Sequence, residues 1–241
     1  MKAENSSSPD WSDCFVSGVP AGCLFKMAVD ELRKVVRTSV PDASTLNSVI
    51  EVSLVGLVAY FEGFCKNQFA SVINTCPEVL RGFCERRPET SLCVSDALEV
   101  GLDLRLRLGS LLAEKLDFGS ARGVNTLYGD LLSITPFSKD EARRYDELVS
   151  DRNLLVHHAG IYTLAYCKRK PRQSERNRVF WDSLVVKGSD FLKWSDFLEG
   201  IAAKLVSSSH EALVGFIARE GVTLSGGLDR ALDWLSWYDN W

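Results

Sequence analysis

The segment from Glu147 to Gly160, which reads ELVSDRNLLVHHAG, decides how this sequence is interpreted. Ser138 lies shortly before it and is followed three residues later by Glu141, a capping box that marks the start of a helix. Gly160 marks the end of that helix, because glycine commonly follows a helix C-terminus. Two of the chain's three histidines are adjacent near this end. The sequence therefore predicts one helix, to about residue 159, that carries arginine, asparagine and histidine together.

Helical patterns on both sides of this helix predict a mainly all-α protein. A long helix, capped by Ser44 or Thr45, is predicted to run to about Asn74 with one apolar face. Residues 161–167 and 178–186 have strand-like composition, which predicts a small β-hairpin. Other predicted helices span 27–37, 77–87, 95–116, 119–132, 189–220 (with a break near 207–209) and a final amphipathic segment at 228–241.

These patterns divide the chain into four parts. Residues 1–25 are rich in Ser, Pro and Gly and are expected to form a flexible lead-in. Residues 26–165 are expected to form the helical bundle, and residues 166–188 a basic loop with the small β element. Residues 189–241 are expected to form C-terminal helices that pack on the bundle.

Composition limits the classes of protein to consider. The chain has 241 residues, of which 46% are hydrophobic, so it can bury a full-sized core. Its net charge of −4 argues against the overall cationic character of many duplex-binding proteins, although a local basic patch remains compatible with it. The longest apolar run, residues 52–61, is shorter than a bilayer requires. We therefore expect a soluble cytoplasmic protein without a membrane segment.

The cysteines and histidines do not predict a metal site. Seven cysteines form no C-x-x-C pair, and three histidines are too few to complete a zinc site of the usual spacing. Clustered carboxylates of the metal-nuclease type are also absent from the sequence. We expect reduced thiols, no metal and no cofactor.

The residues near His157 have the chemistry that RNA cleavage requires. Attack by a ribose 2′-hydroxyl needs a group that moves a proton near neutral pH, which is the usual role of histidine. It also needs a cation on the phosphate oxygens, and the fork of an arginine suits this. Asn153 and His157 are one helical turn apart and share a face, whereas Arg152 is five residues from His157 and does not quite share it. One protomer is therefore expected to present an incomplete site.

The run from Arg152 to His157, RNLLVH, resembles the R-x4-6-H motif of the HEPN superfamily in its R-N-x3-H form, as in the bacterial RiboL-PSP type of ribonuclease and toxin. Glu147 occupies the position of the glutamate of the extended motif. Asp151 departs from the family, which usually has lysine there. The resemblance covers about residues 45–165 and includes the Phe61-Glu62 pair on an early helix.

The resemblance implies a function and a set of roles. His157 would be the general acid/base, Arg152 would stabilise the transition state, Asn153 would orient phosphate or imidazole, and Glu147 would fix the arginine. Two motif helices would meet across a homodimer axis. The products would be a 2′,3′-cyclic phosphate and a 5′-hydroxyl, made without a metal. Such a ribonuclease could be a toxin or anti-phage effector that an antitoxin or regulatory protein controls.

Residues 168–178, KRKPRQSERNR, form a basic run in which six of eleven residues are basic. Because this run follows the motif helix, it predicts contacts with the RNA backbone through Lys168, Arg169, Lys170 and Arg172. A solvated loop is the alternative interpretation.

Other interpretations of the motif remain open from the sequence. Arg152 could simply pair with an acidic neighbour, His157 could pack at the helix end, and Glu147 could pair with Arg143 one turn away. Asp151 favours a non-catalytic HEPN adaptor that binds RNA, nucleotide or protein, because an anion beside the site weakens attraction for RNA. An unrelated helical interaction protein with an accidental motif is the third hypothesis.

Overall fold

The computed structural model describes residues 10–39, 47–101, 104–169, 182–224 and 227–238. These ranges are mainly helical and contain no β-strand, which confirms the predicted all-α class. The α-helices are α1 (Ala21–Thr38), α2 (Ser48–Thr75), α3 (Leu80–Arg86), α4 (Val94–Val100), α5 (Leu104–Ala113), α6 (Ala121–Leu132), α7 (Lys139–His158), α8 (Leu164–Arg169), α9 (Gly188–Glu220) and α10 (Leu228–Leu235).

Helix α2 lies at the centre of the bundle, in contact with α1, α5, α7, α9 and α10. It begins after Asn47, whose side chain accepts hydrogen bonds from the backbone N–H groups of Val49 and Ile50 at 3.1 and 3.3 Å. The cap is therefore Asn47; the predicted caps Ser44 and Thr45 lie outside the described residues. Aromatic side chains pack around α2 on both sides, and this core includes Phe25, Phe61, Phe69, Phe83, Phe118, Tyr128, Phe137 and Tyr145.

The N-terminal segment differs from the loose lead-in expected for residues 1–25. From Asp10 onward the chain packs on the bundle, with Cys14 and Phe15 buried and Trp11 edge-on against Trp234. Residues 1–9 lie outside the described residues. The polar composition of this segment predicted flexibility, but burial of the apolar Cys14 and Phe15 side chains stabilises its packing on the bundle.

Two predicted helices have different bounds in the structure. The pattern over 95–116 is divided into α4 and α5, because Gly101 has φ +64° and ψ −130° and so cannot continue a helix. By contrast, the break expected near 207–209 is absent, and α9 is continuous. The Ser208 and Ser209 hydroxyls donate to carbonyls of the preceding turn, which accommodates them inside the helix.

The predicted β-hairpin is not formed within the described residues. Leu164–Arg169 is helix α8, and Thr163 caps it by accepting a hydrogen bond from the Tyr166 N–H at 3.2 Å. A single antiparallel bridge between Ile161 and Ser183 remains of the expected pairing. Residues 178–181 of the predicted second strand lie outside the described residues.

Helices α2 and α9 are long and apolar enough to cross a bilayer, judged by length and composition alone. The uninterrupted apolar run at 52–61 is itself too short to cross a bilayer, but each of the two helices has a high mean hydropathy over a longer window. Both helices also contribute buried side chains to the core, and core helices of soluble proteins meet the same criterion. This property therefore does not place the protein in or out of a membrane.

Candidate functional site

Helix α7 positions the residues of the motif. The capping box is present as predicted: the Ser138 N–H donates to Glu141 Oε2 at 2.7 Å, and the Glu141 N–H donates to Ser138 Oγ at 3.3 Å. The helix ends at His158 and is followed by Ala159 and Gly160, both with positive φ. Buried Tyr145, Leu148 and Leu154 hold one face of the helix against the bundle, which leaves the opposite face to solvent.

A cavity of about 330 Å³ lies between this exposed face of α7 and the beginning of α8. Asn153 and His157 both line it, so the structure brings together the two motif residues that the helical spacing places on one face. His158 lines it as well. The other lining residues are Asp146, Val149, Ser150, Leu154, Thr163, Ala165 and Tyr166.

Several polar side chains of this cavity have unused hydrogen-bonding capacity. Within the part of the chain that the structure describes, the side chains of Asp146, Ser150, Asn153, His157 and His158 make no hydrogen bond or ion pair. Two other lining residues already form hydrogen bonds. The Thr163 hydroxyl accepts one from the Tyr166 N–H at the start of α8, and the Tyr166 hydroxyl donates one to Asp151. The free groups can therefore bind a ligand without first breaking an internal contact.

Arg152 does not line the cavity. Its Nη2 forms an ion pair and hydrogen bond with Glu62 Oε1 on α2, and its side chain is only 22% exposed. Its Nε is buried and has no hydrogen-bond partner within the described residues. The structure therefore separates Arg152 from Asn153 and His157, in agreement with their helical spacing.

The carboxylate that pairs with Arg152 is Glu62 and not Glu147, the residue that the motif suggested. Glu147 is partly buried on α7 and is not among the residues that line the cavity. Burial raises the pKa of the Glu62 carboxyl above its usual value, and the charge and hydrogen bond of Arg152 oppose that rise only in part. Glu62 is thus held as a poorly solvated carboxyl at the junction of α2 and α7.

One sequence signal could have identified Glu62. It is one of few charged residues on an apolar helix and directly follows buried Phe61. The structure pairs Glu62 across the bundle with Arg152. An acidic residue at the edge of an apolar face usually requires a partner from another element, and Arg152 supplies it.

Asp151, which stands where the HEPN motif usually has lysine, contacts α8. The Tyr166 hydroxyl donates to Asp151 Oδ1 at 2.5 Å, and the Tyr166 ring stacks on Tyr162 with centroids 5.3 Å apart and planes 9° apart. This arrangement joins α7 to α8, and Tyr166 is the member of it that lines the cavity.

The predicted RNA-binding residues are described only in part. Lys168 is exposed on α8. Arg169 is the last residue of α8, and the structure does not describe its side chain; Lys170 and Arg172 lie outside the described residues. Their proposed contact with RNA stays a prediction.

Comparisons with protein-family models, with curated proteins and with solved structures gave no match. The HEPN resemblance therefore rests on the motif residues. Within the described ranges, no group of three or more His, Cys, Asp or Glu side chains is arranged to hold a metal ion.

Proposed function

We propose that this chain is a metal-independent endoribonuclease of the HEPN type, with His157 as its general acid/base. The observation that carries the proposal is the cavity in which Asn153 and His157 present unpartnered side chains one helical turn apart. An accessible imidazole beside a free carboxamide provides a proton-transfer group and a group that orients phosphate or ribose.

The reaction would proceed by attack of a ribose 2′-oxygen on the adjacent phosphorus. A general base removes the 2′-hydroxyl proton, the bond from the 2′-oxygen to phosphorus forms, and the bond from phosphorus to the 5′-oxygen breaks. A general acid protonates the leaving 5′-oxygen, which gives a 2′,3′-cyclic phosphate and a 5′-hydroxyl. Because two proton transfers occur, His157 needs a second titratable group. His158 lines the same cavity, and the HEPN resemblance implies a second motif helix across a homodimer.

Arg152 would stabilise the charge that develops on the phosphate oxygens. It lies next to Asn153 in sequence, and only its Nη2 is engaged by Glu62. Contact with phosphate requires the guanidinium to turn from Glu62 toward the cavity. Glu62 thus competes with RNA for Arg152, and a basic run after α8 would add further contacts to the RNA backbone.

A non-catalytic adaptor that binds RNA, nucleotide or a protein partner is the second candidate. The observation that favours it is the position of Arg152, which pairs with Glu62 and does not line the cavity. In this case the cavity would bind a ligand through Asn153 and His157 without cleaving it. An antitoxin or regulatory protein would be a partner of the ribonuclease, whereas the adaptor would bind its own protein partner.

The test is incubation of the purified full chain with a mixed tRNA and mRNA pool in EDTA. We expect cleavage that leaves 2′,3′-cyclic phosphate ends, and a loss of about 10²–10⁴-fold in rate for His157→Ala, the usual contribution of a general acid or base. His210→Ala is the matched control, because His210 lies on α9 and does not line the cavity. RNA binding without cleavage by the unaltered chain would favour the adaptor.

A further inference from the structure

The exposed face of α7 carries polar residues beyond those that the proposed cleavage uses. Asp146, Ser150, Asn153 and His157 follow one another at intervals of four, three and four residues, so they share one face of the helix. All four line the same cavity. At 1.5 Å of rise per residue, Asp146 lies about 16 Å along the axis from His157. The cavity therefore extends well beyond the general acid/base, toward the N-terminus of the helix.

The end of the cavity near Asp146 is unsuited to a phosphate. No lysine or arginine is among the lining residues that the structure describes, and Asp146 supplies a carboxylate. A carboxylate repels phosphate and attracts N–H donors. Asp146 is an exposed residue, and its partial burial raises the pKa of its carboxyl above the usual value.

The remaining lining residues suit a planar ring with polar edges. Val149, Leu154 and Ala165 provide apolar surface, while Ser150 and Asn153 provide unpartnered hydrogen-bonding groups. The volume of about 330 Å³ is at the small end for ligand pockets. This size fits a single base with part of its ribose and excludes a duplex.

We propose that this cavity binds one base of a single-stranded RNA and favours guanine, with Asp146 as the specificity-determining residue. Guanine presents two adjacent N–H donors, at N1 and the exocyclic amine, and these match the two oxygens of a carboxylate. Adenine and cytosine present one amine beside a ring acceptor, and uracil presents one N–H between two carbonyl oxygens, so each would place an acceptor against the carboxylate. Single-stranded bases are commonly recognised on this edge. The inference rests on the proposed function only in taking RNA as the source of the base.

The experiment measures binding and cleavage separately. Binding of GMP, AMP, CMP and UMP to the full-length chain is measured by isothermal titration calorimetry at one salt concentration. We expect GMP to bind at least about tenfold more tightly than the others, as a good two-point contact to a base allows. Asp146→Asn should abolish this preference, because a carboxamide offers one acceptor in place of two. Asp140→Asn is the matched control, since Asp140 is an exposed residue of α7 whose carboxylate pairs with Arg143 outside the cavity.

The outcomes separate this inference from the proposed function. Guanine-selective binding that Asp146→Asn abolishes supports the inference even if no RNA is cleaved. The absence of cleavage would contradict only the nuclease proposal. Cleavage without a guanine at a fixed position within a few nucleotides of the cut, together with equal binding of the four nucleotides, overturns the inference and leaves the nuclease proposal standing. A GMP preference that survives in Asp146→Asn, or no saturable binding of GMP at millimolar concentration, also overturns it.

Discussion

Arg152 of α7 and Glu62 of α2 form an ion pair that joins residues 90 positions apart in the sequence. Both side chains are largely buried, with 22% and 27% of their surface exposed. The pair binds the motif helix to the central helix and directs the arginine away from the cavity that His157 lines. Two functions of Arg152 are thus in competition, since the same guanidinium stabilises the fold and, in the proposed reaction, the phosphate.

The first prediction concerns the strength of this pair. Glu62→Gln removes a carboxylate charge whose burial Arg152 offsets only in part, so we expect the free energy of unfolding to change by less than about 1 kcal/mol. Urea denaturation followed by circular dichroism measures it. A double-mutant cycle with Arg152→Gln isolates the coupling, and a coupling energy near zero would show that the pair contributes nothing.

The second prediction concerns the effect of the same variant on RNA. If Glu62 competes with phosphate for Arg152, Glu62→Gln should lower the KM for RNA, because the guanidinium is then easier to turn toward the cavity. Steady-state cleavage of one RNA oligonucleotide measures this, with Glu51→Gln on the same helix as the control. A loss of kcat in Glu62→Gln at unchanged KM would mean instead that Glu62 positions Arg152 for the reaction.

The third prediction concerns the contact between α2 and α5. A Cβ at Gly109 would overlap the carbonyl oxygen of Ala70, and the Gly109 N–H donates to Asn74 Oδ1 at 2.8 Å. Because the overlap is with backbone, Gly109→Ala should force the helices apart and cost about 1–3 kcal/mol or more of stability. Gly200→Ala is the control, because Gly200 lies inside α9 and a Cβ there would have no neighbour within 4 Å. Alanine is favoured over glycine inside a helix, so this variant should raise the free energy of unfolding by about 0.5–1 kcal/mol. Equal melting temperatures of the two variants would contradict the close approach.

The sequence predicted those features that depend on local patterns. The capping box at Ser138 and Glu141, the long apolar helix that became α2, and the shared face of Asn153 and His157 each follow from spacing along one helix. The division of α4 from α5 was missed, because a glycine within an apolar pattern is compatible with a helix until its φ is known. Gly101 has φ +64°, and the helix ends there.

Contacts between distant segments could not be predicted in the same way. The partner of Arg152 was expected five residues away, at Glu147, but the bundle brings Glu62 to it. Likewise, the strand-like composition of residues 161–167 predicted a hairpin, whereas the Thr163 cap and the stacking of Tyr162 on Tyr166 favour helix α8. In both places tertiary packing outweighs local propensity.

The fourth prediction concerns the contact of α7 with α8. Tyr166→Phe removes the hydrogen bond to Asp151 and keeps the ring that stacks on Tyr162. A hydrogen bond to a charged group contributes about 1.5–3 kcal/mol, so we expect a measurable fall in the midpoint of urea unfolding. Tyr60→Phe is the control, because Tyr60 is 53% exposed. The same midpoint in both variants would show that this hydrogen bond contributes nothing to the stability of the contact between α7 and α8.

The last prediction concerns pH and the start of the motif helix. Partial burial of Glu141 acts to raise the pKa of its carboxyl, but Lys204 on α9 and the hydrogen bonds with Ser138 outweigh it, so the pKa lies below its usual value. Such a carboxyl stabilises the folded chain at pH values above the ordinary pKa of glutamate. This stabilisation is lost as the pH falls through the lowered pKa of the folded chain. Glu141→Gln keeps a residue that can complete the capping box and removes the charge. We therefore expect the variant to lose less stability than the unaltered chain between pH 5 and pH 3, roughly, as denaturant unfolding at several pH values would show. Since the pair with Lys204 is near the surface, the difference should be about 1 kcal/mol or less. Parallel stability curves for the two chains over this range would mean that Glu141 acts only as a cap.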